Sequence, residues 1–151
     1  MTEQEQRAAV IKEALEWVGT PYHAEAKVKG RKGGCDCLTI LEGVFRNVGL
    51  VTNADIPHYS PQFMLNRSDE LYLTGLLQYT REVTTPQPAD IALWKFGRCF
   101  SHAAIVIEWP RIIHAYVGCA VQEDNVNSCV WLQKMNDGKP RPVKYFSYWG
   151  K

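Results

Sequence analysis

The feature that most constrains this chain is a change of hydrophobic period partway along it. Over residues 3–18 the apolar residues Val10, Ile11, Ala14, Leu15 and Val18 recur at helical spacing, and the run stops at Gly19, Thr20 and Pro21. Cys37, Leu38, Leu41, Val44, Phe45 and Val48 mark one face of a second helix, closed by Gly49, with Asp36 at its N-cap position. A short third helix is expected over residues 69–78. After Pro86 the period shortens, and segments rich in branched and aromatic residues, 91–96, 102–108, 111–117 and 143–148, are parted by Gly, Pro or charged turns. Helices first and strands second predict an α+β fold, with the N-terminal helices packed on one face of a C-terminal antiparallel sheet.

A length of 151 residues with 46% hydrophobic residues suits one domain spanning 1–151. The 17 basic and 16 acidic residues leave a net charge of +1, so no bulk field holds a polyanion, and nucleic acid is not an expected partner. No stretch approaches the roughly 18 to 20 apolar residues of a membrane span, and the start MTEQEQRAAV lacks the basic-then-apolar order of a secretory signal. The expectation is a protein made in a cytoplasm. Five cysteines is an odd number, which argues against a full disulfide framework and leaves at least one thiol free.

The chemistry concentrates in GGCDCLTILEG, residues 33–43, where a glycine-rich loop turns into the second helix. Cys35 and Cys37 are too close for an easy disulfide, and a C-x-C with no second thiol pair at ligand spacing makes a poor zinc site, so neither a metal nor a cofactor is expected. The third reading is a nucleophile. A thiol in the first turn of a helix feels about half a positive charge, which favours thiolate, and a nearby imidazole would complete the activation. His102 opens one strand and His114 lies on the next after a short turn, so adjacent antiparallel strands bring them together. Cys37 is then the nucleophile, His102 the general base and His114 the polar group that orients the ring. Each has a plainer alternative: a buried core thiol for Cys37 and satisfied strand histidines for the other two. His23 and His58 read as loop residues, Cys99, Cys119 and Cys129 as packing or surface residues, and Trp94, Trp109, Trp131 and Trp149 as core and rim.

These residues resemble the NlpC family of papain-like cell-wall cysteine peptidases, in particular its phage-type branch, along nearly the whole chain. The resemblance is carried by GTPY at 19–22, VKGRKGGCDCL before the second helix, PHYSP at 57–61, PQPADIALWKF, SHAAIVIE and RIIHAY. It implies a papain-like fold, hydrolysis of an amide in peptidoglycan stem peptides, commonly between D-glutamate and a diamino acid, and the same roles for Cys37, His102 and His114. It also implies that Tyr22 borders the site and that Asp36 helps bind substrate. Many members carry a serine after the nucleophile that helps bind the stem peptide's free amine, whereas here Leu38 and Thr39 follow. The resemblance further implies phage tail proteins as partners and incorporation in a virion. The rival functions are an amidase or acyltransferase on the same scaffold and a non-catalytic tail protein.

Overall fold

Helix α1 (Glu3–Glu16) starts at a capping box, in which the Thr2 hydroxyl accepts the Glu5 N–H at 3.1 Å and the Glu5 carboxylate accepts the Thr2 N–H. In this computed structural model, residues 1–52 and 71–151 are described. A hairpin of β1 (Lys27–Val28) and β2 (Gly34–Cys35) occupies part of the stretch expected as loop. Gly33 is required there, because a Cβ at that position would lie 1.9 Å from the Val28 carbonyl oxygen. Then come α2 (Thr39–Asn47) and α3 (Leu71–Leu77), the latter within the expected third helix. His58 and the 57–61 segment lie outside the described residues.

The second half forms β3 (Arg81–Val83), β4 (Ile91–Phe96), β5 (Cys99–Glu108), β6 (Arg111–His114), β7 (Gln122–Asn125) and β8 (Val143–Ser147). A 3-10 turn (Val126–Ser128) and the short α4 (Val130–Gln133) fall between β7 and β8. The strands make one antiparallel sheet in the order β3-β8-β4-β5-β6-β7. Strand β6 stops at His114, short of the expected residue 117, since the chain turns there and leaves Val117 exposed. Strands β3 and β7 carry no apolar alternation, and as sheet edges they need none.

Alternation along the central strands builds two cores. Leu93, Ala103, Ile105 and Ile113 face α1 and α2, meeting Val10, Ala14, Trp17, Ile40, Val44 and Phe45. Gly43 lets α1 approach α2, for a Cβ there would sit 2.6 Å from the Trp17 ring. On the other face Ala92, Trp94, Ala104, Val106 and Ile112 are covered by Val126, Cys129 and Leu132. The sheet is therefore buried on both faces, the second by a short helical cover that the sequence pattern does not announce. Each large side chain so buried contributes about 1.5–3 kcal/mol of transfer free energy.

One buried polar anchor ties α1 to the sheet. Arg7 donates to the Asp90 carboxylate at 2.8 Å, the Pro88 carbonyl at 2.7 Å and the Ser147 hydroxyl at 3.2 Å, and its guanidinium lies over the Trp149 ring. No helix among the described residues is long and apolar enough to cross a membrane.

Candidate active site

Asp36 builds the turn that carries Cys37. Its Oδ1 accepts the N–H groups of Leu38 and Thr39, both at 2.9 Å, its Oδ2 accepts that of Glu25 at 2.7 Å, and its carbonyl accepts that of Ile40 at 3.1 Å. This is N-cap chemistry, and it buries the carboxylate among backbone donors rather than opening it to a substrate. The regular helix begins at Thr39, so Cys37 lies in the turn ahead of α2 and not in its first helical turn. From α3 the Tyr72 hydroxyl donates to the Cys37 carbonyl at 2.8 Å and pins that turn from the other side.

The half-buried Cys37 thiol donates to the Ser101 carbonyl of β5 at 3.3 Å. Its partner is thus the backbone one residue before His102, and not the imidazole. Burial pushes the Cys37 thiol up to about 12, with the neighbouring Asp36 charge adding to it, while donors from the Ala103 amide, the Tyr72 hydroxyl and the Cys37 amide act in the opposite direction. This corrects the expectation of a thiol lowered by the helix end. Loss of water and an adjacent carboxylate outweigh about half a positive charge. Cys35, fully buried behind it, is also pushed up to about 12 by burial and by Asp36.

The two histidines do meet. His102 Nε2 lies 2.9 Å from His114 Nδ1, and His114 Nε2 lies 3.2 Å from Asp124 Oδ2. The rings belong to the sheet's second face: Trp94, Phe96, Tyr116 and Trp131 surround His102 with centroids 5.5 to 5.8 Å away, and Trp131 stacks on His114. Cys37, in contrast, packs against the core of the first face and reaches β5 at its backbone. Burial holds His102 well below its usual range, helped by the neighbouring His114 and by Arg141, which lies over Phe96. Burial also lowers His114, against the pull of Asp124. Both rings are therefore neutral near pH 7, and each has one N–H and one lone pair to place.

Tyr22 is half-buried against the first core and bridges to Cys35. Burial, and then the nearby Cys37, Asp36 and Cys35, push its phenol up, so it stays protonated. His23 packs beside Gly34, where a Cβ would come within 2.7 Å of its ring. All five cysteines are free thiols.

Three residues at this site escaped sequence reasoning: Asp124, Tyr72 and Ser101. Asp124 sits in Gln122–Asn125, which has no apolar pattern to betray a strand, and Tyr72 lies 35 residues along the chain from the carbonyl it meets, so no local spacing joins the two. Ser101 acts through its carbonyl, which no side-chain pattern can reveal, and its own hydroxyl is buried without a partner among the described residues.

No protein-family model matches the chain, and no curated protein matches it by sequence. Solved structures do. The NlpC/p60 domain of the peptidoglycan hydrolase SagA is 21% identical, with 91% of this chain and 96% of that one covered and a TM-score of 0.56. NlpC1 from Trichomonas vaginalis is 15% identical over all of this chain, which spans only 46% of that protein, with a TM-score of 0.63. RipD from Mycobacterium tuberculosis, described as a non-catalytic NlpC/p60 domain protein adapted to peptidoglycan binding, is 15% identical with a TM-score of 0.54, and 93% of this chain and 95% of that one are covered. The mixed arrangement of helices and antiparallel sheet is accordingly the papain-like fold of NlpC/p60 domains.

Proposed function

We propose that this protein is a cysteine peptidase that hydrolyses an amide bond in peptidoglycan stem peptides, with Cys37 as nucleophile, His102 as general base and His114 as the group that orients His102. The observation that carries the reading is the 2.9 Å contact of His102 Nε2 with His114 Nδ1 in an NlpC/p60 fold whose Cys37 touches the same strand one residue away. With Nε2 committed to His114, His102 Nδ1 is the ring atom left for the thiol proton.

The reaction requires the Cys37 thiol to leave the Ser101 carbonyl and hand its proton to His102 Nδ1. The sulfur then attacks the substrate carbonyl, and in this reading the Cys37 N–H donates to the oxyanion. The imidazolium returns the proton to the departing amine, which leaves a thioester on Cys37. Water, deprotonated by the same nitrogen, releases the acid and restores the thiol. Because the thiol starts neutral, proton transfer accompanies attack and no standing ion pair is needed.

Leu38 stands where the resembling family often has serine, and it packs partly buried against the first core. It offers no hydrogen bond to a free substrate amine, so the enzyme should accept stems still attached to glycan, as suits a phage tail component that opens an intact wall. A second reading, a peptidoglycan-binding domain without catalysis, is favoured by the thiol bonded to a carbonyl instead of an imidazole. An amidase or acyltransferase on the same scaffold would use the same residues on a different acyl group. Digestion of purified glycan-linked and free stem peptides, with the products weighed by mass spectrometry, separates these. Cleavage within the stem supports the peptidase, and binding without any product supports the non-catalytic reading.

A further inference from the structure

Two neutral imidazoles in line can pass their hydrogen bond in either direction, and only one direction serves a base at His102. If His114 Nδ1 carries the proton, it donates to His102 Nε2, and the His102 proton then sits on Nδ1, where the thiol proton has to go. If His114 Nδ1 is the lone pair, His102 donates from Nε2 and its Nδ1 is free. Something must choose between these arrangements.

Asp124 occupies the position to choose. On β7 it pairs with Ile112, and Ile112 and His114 share one face of β6, so the carboxylate lies diagonally across from His114. Its Oδ2 stands 3.2 Å from His114 Nε2 and accepts the Gln122 side-chain amide at 2.9 Å, and its Oδ1 accepts the Asn125 N–H at 3.2 Å. The Cys129 thiol donates to it as well. Burial acts to raise this carboxyl, but the hydrogen bonds from His114, Gln122 and Cys129 outweigh it and hold it below the usual range. An ionised carboxylate can only accept, so the nitrogen facing it must be an N–H.

We propose that Asp124 is a positioning residue: by accepting the His114 Nε2 proton it fixes the tautomer whose Nδ1 accepts from His102, and thereby keeps His102 Nδ1 free to take the proton of Cys37. The proposal rests on the peptidase reading above for its consequence in rate, but the tautomers themselves can be read without substrate.

The test is two-bond proton–nitrogen NMR on protein carrying nitrogen-15 histidine, near neutral pH, in the wild type, Asp124→Ala and Asp124→Asn. The wild type should show protonated Nε2 on both His102 and His114. In Asp124→Ala, His114 should shift toward the Nδ1–H form, and kcat should fall about 10- to 100-fold with KM nearly unchanged. Asp124→Asn, whose side-chain oxygen can still accept from His114, should restore both tautomers and most of kcat. A wild-type His114 protonated on Nδ1 overturns the proposal, and so do unchanged tautomers and kcat in Asp124→Ala. The wild-type spectrum decides even if the alanine variant fails to fold. If the tautomers behave as stated but the wild type cleaves no stem peptide, the peptidase reading fails while the relay stands.

Discussion

His102 and His114 share a 2.9 Å hydrogen bond across adjacent antiparallel strands, with no exposed surface left on the His114 ring. Removing the acceptor leaves His102 Nε2–H without a partner and its ring free to turn. His114→Ala should therefore lower kcat by about 10²- to 10⁴-fold with a small change in KM, and the buried void should cost about 2–4 kcal/mol of stability. His114→Gln should recover part of the rate, because an amide oxygen can accept from the ring. Steady-state kinetics beside urea unfolding measures both effects. Equal losses of rate in the two variants would give His114 a packing role only.

The thiols rank differently from what the helix position of Cys37 suggests. A thiol pushed up to about 12 is ionised to roughly one part in 10⁴ at pH 8. Cys119 is exposed, whereas Cys35, Cys99 and Cys129 are buried. Limiting iodoacetamide on the free protein should modify Cys119 first, with Cys37 labelling rising steeply as the pH is raised. Peptide mapping reads the order. Preferential labelling of Cys37 near neutral pH would mean a standing thiolate–imidazolium pair.

Stability should fall on mild acidification. His102 and His114 are both held below the ordinary 6.5 by burial, so below that value the unfolded chain binds protons that the folded protein refuses. Their contribution is fully present above about 6.5 and is lost as pH drops toward the folded values. The urea midpoint at about pH 5.5 should be lower than at about pH 8, and His102→Gln should narrow the gap by removing one of the two groups. A wild-type midpoint that stays constant over this range would contradict neutral burial of the pair.

The parts of this molecule that the sequence reveals are those governed by apolar period. Strand β4 spans the same residues as the branched and aromatic run 91–96, and the turn at Trp109 and Pro110 places Ile105 opposite Ile113, which sets His102 and His114 diagonally on one face. What stayed hidden depends on backbone and on edges. The polar run Gln122–Asn125 is a strand because β6 offers it a partner, not because its side chains ask for burial, so Asp124 carried no signal. A helix end that favours thiolate at Cys37 is local and visible in the sequence, whereas the burial of the sulfur and the Asp36 carboxylate turned inward, which oppose it, are products of the fold.

A cysteine peptidase of the proposed kind has the sulfur of Cys37 attack a stem-peptide carbonyl. Rapid acid quench of the protein mixed with excess stem peptide, followed by intact and peptide-level mass spectrometry, tests it most directly, since a thioester is a bond only the nucleophile can carry. An adduct of the acyl fragment's mass is expected on Cys37, absent in Cys37→Ala and scarce in His102→Ala. Stem-peptide cleavage that persists in Cys37→Ala, or an acyl adduct on any other residue, would contradict it.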